Sequence, residues 1–190
     1  MPHREADREA DTAAGTAADR RRLALAIDLS KRCPPSDSAF SVGAVIVDDA
    51  GAEIARGFSR ERPLYHAEEA ALSKPAPEDP RLTGATLYSS LEPCVRRASR
   101  PRSCTDLIIA AGIRRVVIAW REPPVFVPDA NGVDTLRAAG VTVVEVPDLA
   151  APAAAVNAHL LDAAREDVER GDVERGDVER GDVREEGDHR

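Results

Sequence analysis

The stretch VGAVIVDDAGAEIAR, residues Val42–Arg56, decides the fold class. Its first half is an uninterrupted apolar run, which is typical of a strand that is buried on both faces of a sheet. Asp49 and Gly51 then supply turn residues before a second, shorter apolar segment. The stretch therefore predicts a β-hairpin, with strands near 41–48 and 53–59, in the interior of a domain.

Helical and extended segments alternate on both sides of this hairpin. Asp19 is placed to cap a helix that runs to about Arg32, where Pro34 and Pro35 end it. Alternation of this kind favours an α/β fold, in which helices cover both faces of a mixed sheet. Beyond the hairpin we expect helices at 66–73, 104–111, 132–139 and 148–164, and strands at 85–91, 115–120 and 141–146.

The two ends of the chain differ from its central part. Residues 1–18 are charged and alanine-rich without a sustained apolar stripe, so we expect a disordered leader. From Asp167 to Gly181 the unit Asp-Val-Glu-Arg-Gly recurs with a period of five, which matches neither a helix nor a strand. Because valine is the only apolar residue of each unit, the repeat cannot bury enough apolar surface to fold, and 166–190 is predicted to be a disordered tail. The residues between the two ends, 19–165, are predicted to form one domain.

The charge balance argues against several classes of protein. The formal net charge is −8, but residues 162–190 hold twelve acidic residues against six arginines, so the domain is close to neutral. A nucleic-acid-binding surface needs clustered Lys and Arg. No stretch reaches the roughly 20 apolar residues of a membrane span, and the charged amino terminus lacks a signal peptide's apolar core. We expect a cytoplasmic protein without membrane or nucleic-acid partners.

Three residues in two segments form a candidate metal site. His66 lies in the segment YHAEEAAL, Cys94 follows the segment SLEP, and nine residues separate it from Cys104. One imidazole and two thiolates give zinc three protein ligands and leave a fourth position for water, as in catalytic sites. Helix starts favour thiolates, because unpaired N–H groups and the helix dipole stabilise negative charge. We therefore predict that His66, Cys94 and Cys104 bind a Zn²⁺ ion.

Glu68 is the candidate proton carrier. It lies two residues after His66, and on a regular helix these positions do not share a face, so Glu68 is not predicted to be a ligand. At the first turn of a helix it can reach the attacking water and take its proton. It can then return that proton to a ring nitrogen and to a leaving amine.

At these residues the sequence resembles the cytidine and deoxycytidylate deaminase superfamily. The matching motifs are GAVIV from Gly43, HAE from His66, GATLY from Gly84 and LEPC from Leu91. The resemblance covers about 19–147 and implies a three-layer α/β/α fold with a mixed five-stranded sheet. It also implies a zinc-dependent hydrolytic deaminase, whose signature H-x-E includes a glutamate that is not a ligand. A homo-oligomer and a small aminopyrimidine or nucleotide substrate are further expectations.

The cysteine spacing indicates one subfamily. Most members place the second cysteine three residues after the first, whereas here the insert Val95–Ser103 separates the two. A longer insert is the mark of the riboflavin-pathway diaminohydroxyphosphoribosylaminopyrimidine deaminases, whose substrate is a phosphate-bearing diaminopyrimidinone. The segment CTDLIIAAGIRRVVIA, from Cys104, also looks like that subfamily. The segment AFSVG is closer to free cytidine deaminases, so a cytidine or deoxycytidylate deaminase is the alternative.

Candidate substrate contacts lie in the insert and at aromatic positions. Arginine forks bind phosphate through paired N–H groups, so the insert would recognise a phosphorylated substrate, with a solvated basic loop as the alternative. Phe40, Trp120 and Phe126 could stack on a pyrimidine or pack in the core. The candidate arginines are Arg96, Arg97, Arg100 and Arg102.

Two other classes of protein remain open. A non-catalytic, zinc-stabilised interaction module would need a fourth protein ligand, for which the sequence offers only the distant Cys33 or His159. A nucleic-acid editor is disfavoured by the neutral domain and by the 3% aromatic content. The presence of Glu68 favours catalysis over the non-catalytic module.

Overall fold

The computed structural model describes residues 15–125 and 131–181. Most of the predicted leader, at 1–14, and the candidate ring of Phe126 lie outside these residues, as do 182–190. Among the described helices, none combines the length and the apolar character that crossing a membrane requires.

A mixed five-stranded sheet forms the centre of the domain, which confirms the predicted fold class. The strand order is β2-β1-β3-β4-β5. β1 runs antiparallel to both of its neighbours, and β3, β4 and β5 run parallel to one another. The bounds are β1 (Gly43–Val47), β2 (Glu53–Phe58), β3 (Thr86–Ser89), β4 (Arg115–Ile118) and β5 (Thr142–Glu145). The hairpin is β1–β2, and every residue of β1 is buried, as its apolar sequence predicts.

Helices cover both faces of this sheet. The helix α1 (Ala17–Ser30) packs on one face through Leu23 and Ile27, in a cluster with Val45, Tyr88 and other strand residues. Because side chains alternate along a strand, the residues next to Val45 and Tyr88 in sequence face the opposite side of the sheet. Three further helices lie outside the α1 cluster: α2 (Ala67–Leu72), α3 (Cys104–Ala110) and α4 (Gly132–Ala138). α2 contacts β1 and β2, α4 contacts β5, and α3 contacts both α2 and α4. A short helix, α5 (Ala150–Ala155), follows β5 and contributes Ala153 to the α1 cluster.

The helix α1 begins before the predicted cap. Thr16 is the N-cap, its hydroxyl accepts a hydrogen bond from the backbone N–H of Asp19, and the Asp19 carboxylate accepts one from the Thr16 N–H. Asp19 is therefore the third helical residue rather than the cap. Its carboxylate also accepts hydrogen bonds from Tyr88 and, at 2.9 Å twice, from Arg115. Burial alone would raise the pKa of Asp19, but the bonds from Arg115, Thr16 and Tyr88 lower it to about 2.

A glycine lets α2 lie close against the hairpin. A Cβ atom on Gly57 of β2 would come within 2.5 Å of the backbone nitrogen of Ala71 and 2.7 Å of the carbonyl oxygen of Ala67. Only glycine permits such a contact without displacing backbone. The helix that begins next to His66 is thus fixed directly on the sheet.

The last helix, α6 (Ala158–Gly181), forms a compact unit of its own, and the preceding unit ends at Asn157. α6 runs through three copies of the repeat, where the sequence predicted a tail without regular structure. The repeat places Asp and Arg three residues apart, and an ion pair at this spacing forms between Asp167 and Arg170, at 3.1 Å. Such pairs stabilise a helix even where it has no apolar face. The prediction of a disordered tail considered only the hydrophobic pattern and therefore did not include this stabilisation.

Candidate active site

Three metal-binding side chains meet where α2 and α3 begin. Nδ1 of His66 lies 3.6 Å from Sγ of Cys94 and 3.5 Å from Sγ of Cys104. The ligand atoms all lie within 4.8 Å of one another, and no other group of three or more His, Cys, Asp or Glu in the described ranges could hold a metal ion. One nitrogen and two sulfur donors are a set that zinc binds. The structure thus brings the three predicted ligands together, and this donor set fits zinc.

The start of α3 holds both cysteines. Cys104 is its first residue, and Ser103 caps it by accepting a hydrogen bond from the backbone N–H of Asp106, at 3.1 Å. The next residue, Thr105, donates from its backbone N–H (3.2 Å) and its hydroxyl (3.3 Å) to the carbonyl oxygen of Cys94. One helix terminus therefore positions Cys94 as well as Cys104, although nine residues separate them.

The electrostatics of the cluster favour a thiolate. The hydrogen bond from the Cys104 thiol, followed by the contact with His66, lowers the pKa of Cys94 to about 4. The same hydrogen bond, together with burial, raises the pKa of Cys104. Burial lowers the pKa of His66, but the hydrogen bond and the charge of Cys94 outweigh it, so the net shift is upward. These shifts favour the thiolate at Cys94, and a bound metal ion would require Cys104 to lose its proton as well.

Glu68 is buried beside the cluster, with 3% of its surface exposed. The hydroxyl of Ser89, the last residue of β3, donates a hydrogen bond of 2.9 Å to its Oε1 atom. Burial raises the pKa of Glu68, and the opposing effect of His66 is smaller. A carboxylate with a raised pKa binds a proton more tightly than an exposed one, which suits a group that takes up a proton and passes it on.

Two arginines of the insert between the cysteines form ion pairs within the chain. The side chain of Arg97 is 4% exposed and donates one 2.9 Å hydrogen bond to Oε2 of Glu69, and Arg100 forms an ion pair with the other oxygen of Glu69, also at 2.9 Å. Two of the four candidate phosphate ligands are therefore bound to a carboxylate of α2, which the sequence alone does not place next to the insert. Arg96 and Arg102 form no ion pair within 15–125 and 131–181.

The aromatic candidates pack against each other. The ring of Phe40 is buried and meets the ring of Trp120 edge-on, with centroids 5.7 Å apart and an interplanar angle of 75°. Packing accounts for this pair, and stacking of Phe40 on a pyrimidine stays a prediction. The thiol of Cys33 donates to the carbonyl oxygen of Val42 and is not part of the metal cluster.

Sequence reasoning did not single out two carboxylates near the cluster. Glu92, directly before the Pro-Cys94 pair, is buried and accepts hydrogen bonds from the backbone N–H groups of Val133 (2.8 Å) and Glu122 (3.1 Å). Burial and the negative charges of Cys94 and Glu92 raise the pKa of Glu122 to about 7. A signal was available, because Cys94 and Glu122 each follow a parallel strand of the sheet, and the carboxyl ends of such strands share one edge.

Comparison with known proteins places this geometry in a family. The model of the cytidine and deoxycytidylate deaminase zinc-binding region matches residues 16–120. The diaminohydroxyphosphoribosylamino-pyrimidine deaminase of Schizosaccharomyces pombe is 47% identical over 123 residues, which are 63% of this chain and 30% of that protein. The riboflavin biosynthesis protein RibD of Aquifex aeolicus is 37% identical over 126 residues, 66% of this chain and 34% of that one. The chain thus spans about a third of the length of these relatives.

A solved structure shows the same fold. The diaminohydroxyphosphoribosylaminopyrimidine deaminase/5-amino-6-(5-phosphoribosylamino)uracil reductase of Thermotoga maritima superposes with a TM-score of 0.65 at 32% identity, over 79% of this chain and 42% of that one. The family match covers more than half of the chain and includes the cluster of His66, Cys94 and Cys104. The chain therefore belongs to the cytidine and deoxycytidylate deaminase zinc-binding family.

Proposed function

We propose that this chain is a zinc-dependent hydrolytic deaminase of an aminopyrimidine nucleotide, most like the pyrimidine deaminases of riboflavin biosynthesis. Its main support is the position of the buried Glu68 next to a cluster of three donors. Three protein ligands leave a position for water, whereas a structural zinc site uses four. Among the described residues, Cys33 does not join the cluster, which argues against the interaction module. The substrate class is supported by the names of the relatives at 47% and 37% identity.

The reaction replaces an exocyclic amino group by oxygen. The oxygen of water bonds to the ring carbon, the carbon–nitrogen bond breaks, and ammonia leaves. Zinc, when bound, makes hydroxide available near neutral pH. Glu68 takes the proton of the attacking water, passes it to the ring nitrogen, and carries a proton to the leaving amine. The hydrogen bond from Ser89 to Oε1 orients the carboxyl group for these transfers.

The substrate phosphate is assigned to the outer arginines of the insert. Arg97 and Arg100 already share the charge of Glu69, so they offer less to an anion than arginines without a carboxylate partner. Arg96 and Arg102 are exposed and form no ion pair in the part of the chain that the structure describes, although Arg102 donates a 3.2 Å hydrogen bond to the backbone carbonyl of Asp106. These contacts support Arg96 and Arg102 as the proposed phosphate ligands. A homo-oligomeric state stays a prediction.

Ammonia release from a panel of substrates tests the proposal. The panel holds the diaminopyrimidinone nucleotide of the riboflavin pathway, its dephosphorylated form, deoxycytidylate and cytidine, each with zinc-loaded protein. We expect turnover of the diaminopyrimidinone nucleotide and at least ~10²-fold slower turnover in the Glu68→Gln protein. If only deoxycytidylate or cytidine is turned over, the proposed substrate class is wrong and the chain is a cytidine or deoxycytidylate deaminase. Zinc-loaded protein that releases ammonia from no member would favour the non-catalytic module.

A further inference from the structure

The insert Val95–Ser103 forms no regular helix or strand. Regular secondary structure within the insert therefore does not fix the distance between the two cysteines. Where two ligands lie three residues apart, one helical turn brings them to the same face. Here the start of α3 restrains Cys94 itself, through its carbonyl oxygen and through its sulfur, which accepts a 3.5 Å hydrogen bond from the backbone N–H of Cys104, but it does not restrain the residues that follow Cys94. Other contacts must fix the path of the insert next to the cluster.

Glu69 provides such contacts at two points. Its side chain is 10% exposed, and each of its carboxylate oxygens forms an ion pair with a different arginine of the insert. Oε2 accepts a hydrogen bond from Nη1 of Arg97, and Oε1 lies beside Nη2 of Arg100, both at 2.9 Å. A single carboxylate therefore holds the insert at positions three residues apart.

The two arginines make different second contacts. Nε of Arg97 donates to the carbonyl oxygen of Arg102, at 2.7 Å, which ties the first half of the insert to its second half. Arg100 is 39% exposed at its side chain and lies over the ring of Tyr65, 4.8 Å from the centroid. Arg97 is thus the inner, desolvated partner of Glu69. Removing Glu69 leaves the buried charge of Arg97 without a carboxylate, and removing Arg97 leaves Glu69 with only the more exposed Arg100.

Glu69 also lies in the same helical turn as a ligand. His66 is the N-cap of α2 and Glu69 is its third residue, while Arg97 follows Cys94 by three residues. The Glu69–Arg97 pair therefore connects the helix that carries the imidazole with the segment that carries the thiolate. We propose that Glu69 is a positioning residue of the zinc site, which holds the insert so that Cys94 and Cys104 stay within reach of the ion bound by His66. This inference rests on the zinc site of the proposed function.

Zinc release to a chromogenic chelator tests this role without any turnover. Groups that orient metal ligands typically contribute 10–100-fold to metal affinity. We expect Glu69→Gln and Arg97→Gln each to release zinc about tenfold or more faster than wild type. The double variant should be about as fast as the single variants, because both remove one interaction. Arg100→Gln, which keeps the inner pair, should have a smaller effect.

The matched control is Glu61→Gln, which breaks the Glu61–Lys74 ion pair of 2.7 Å that does not touch the insert. It should release zinc at the wild-type rate. Wild-type release by Glu69→Gln, or equal acceleration by the control, would overturn the proposal. If Glu69→Gln does not fold, Glu69→Asp decides the question, because faster release than in the control supports the role and equal release refutes it. Wild-type protein that holds zinc but deaminates nothing would refute the proposed function and leave this inference intact.

Discussion

Replacing Glu68 by Gln removes the proposed proton carrier and changes little else. The Gln amide oxygen can still accept the 2.9 Å hydrogen bond from Ser89, and the side chain keeps its size in a site that is 3% exposed. Glu68 is not one of the three donors of the cluster. Burial raises its pKa, so loss of the charge does not destabilise the fold. We therefore expect the zinc content and the melting temperature to stay at or above wild-type values.

The expected loss is in turnover. A positioned general acid or base contributes ~10²–10⁴-fold, which corresponds to about 3–5 kcal/mol of activation free energy. Because Glu68 is buried, bulk water has little access to take over its proton transfers. Both transfers also depend on the same group. We expect kcat to fall by at least ~10²-fold with a much smaller change in KM, since the interaction is made mainly in the transition state.

Steady-state ammonia release, with zinc measured in every preparation, checks this expectation. Glu69→Gln is the matched control, because it makes the same chemical change one residue further on, where the carboxylate binds the insert rather than Ser89. At saturating zinc it should keep most of its turnover. Equal losses of kcat in the two variants at equal zinc content, or near-wild-type kcat in Glu68→Gln, would refute the assignment.

Four further predictions follow from the same geometry. Cys104→Ala should bind far less zinc by metal analysis, and full occupancy would contradict the ligand assignment. The pKa of Asp19 is lowered to about 2 from an ordinary 3.8, which adds about 2 kcal/mol to the free energy of unfolding above pH 4. This contribution is lost as the pH falls toward 2. Denaturant unfolding of Asp19→Asn should therefore show a smaller loss of stability over the same pH range. Arg96→Ala or Arg102→Ala should raise KM about tenfold or more for a phosphorylated substrate only, at unchanged zinc content. A chain ending at Arg165 should keep its turnover and melting temperature, because the described side chains beyond it are exposed.

The sequence predicts those parts of the fold and site that depend on local pattern. The apolar run from Val42 to Val47 predicts a strand buried on both faces, because no other element of that length hides every side chain. The zinc donors are predictable because imidazole and thiolate are few in this chain, and because His66 and Cys104 fall at helix starts. Both arguments need only the order and the type of the residues.

The partners of charged side chains are not predictable in this way. The arginines of the insert are equally consistent with a phosphate site and with internal ion pairs, and only the approach of Glu69 from α2 decides for Arg97 and Arg100. Asp19 is a good cap by composition, yet its partner Arg115 lies 96 residues away on β4. In each case the deciding contact joins segments that are distant in sequence, and residue type alone does not specify which charges meet.

The two adjacent glutamates of α2 show how one helical turn can serve two tasks at one metal site. Successive residues of a helix point about 100° apart, so Glu68 and Glu69 cannot face the same group. Glu68 is directed to Ser89 and Glu69 to Arg97, on either side of the helix that begins at His66. We therefore assign proton transfer to Glu68 and the positioning of the insert to Glu69, although the two side chains have the same length and charge. Glu68→Gln should therefore lose turnover and keep zinc, whereas Glu69→Gln should lose zinc faster and keep its turnover when zinc is saturating. If one of these carboxylates carried both tasks, the two losses would occur together in one variant.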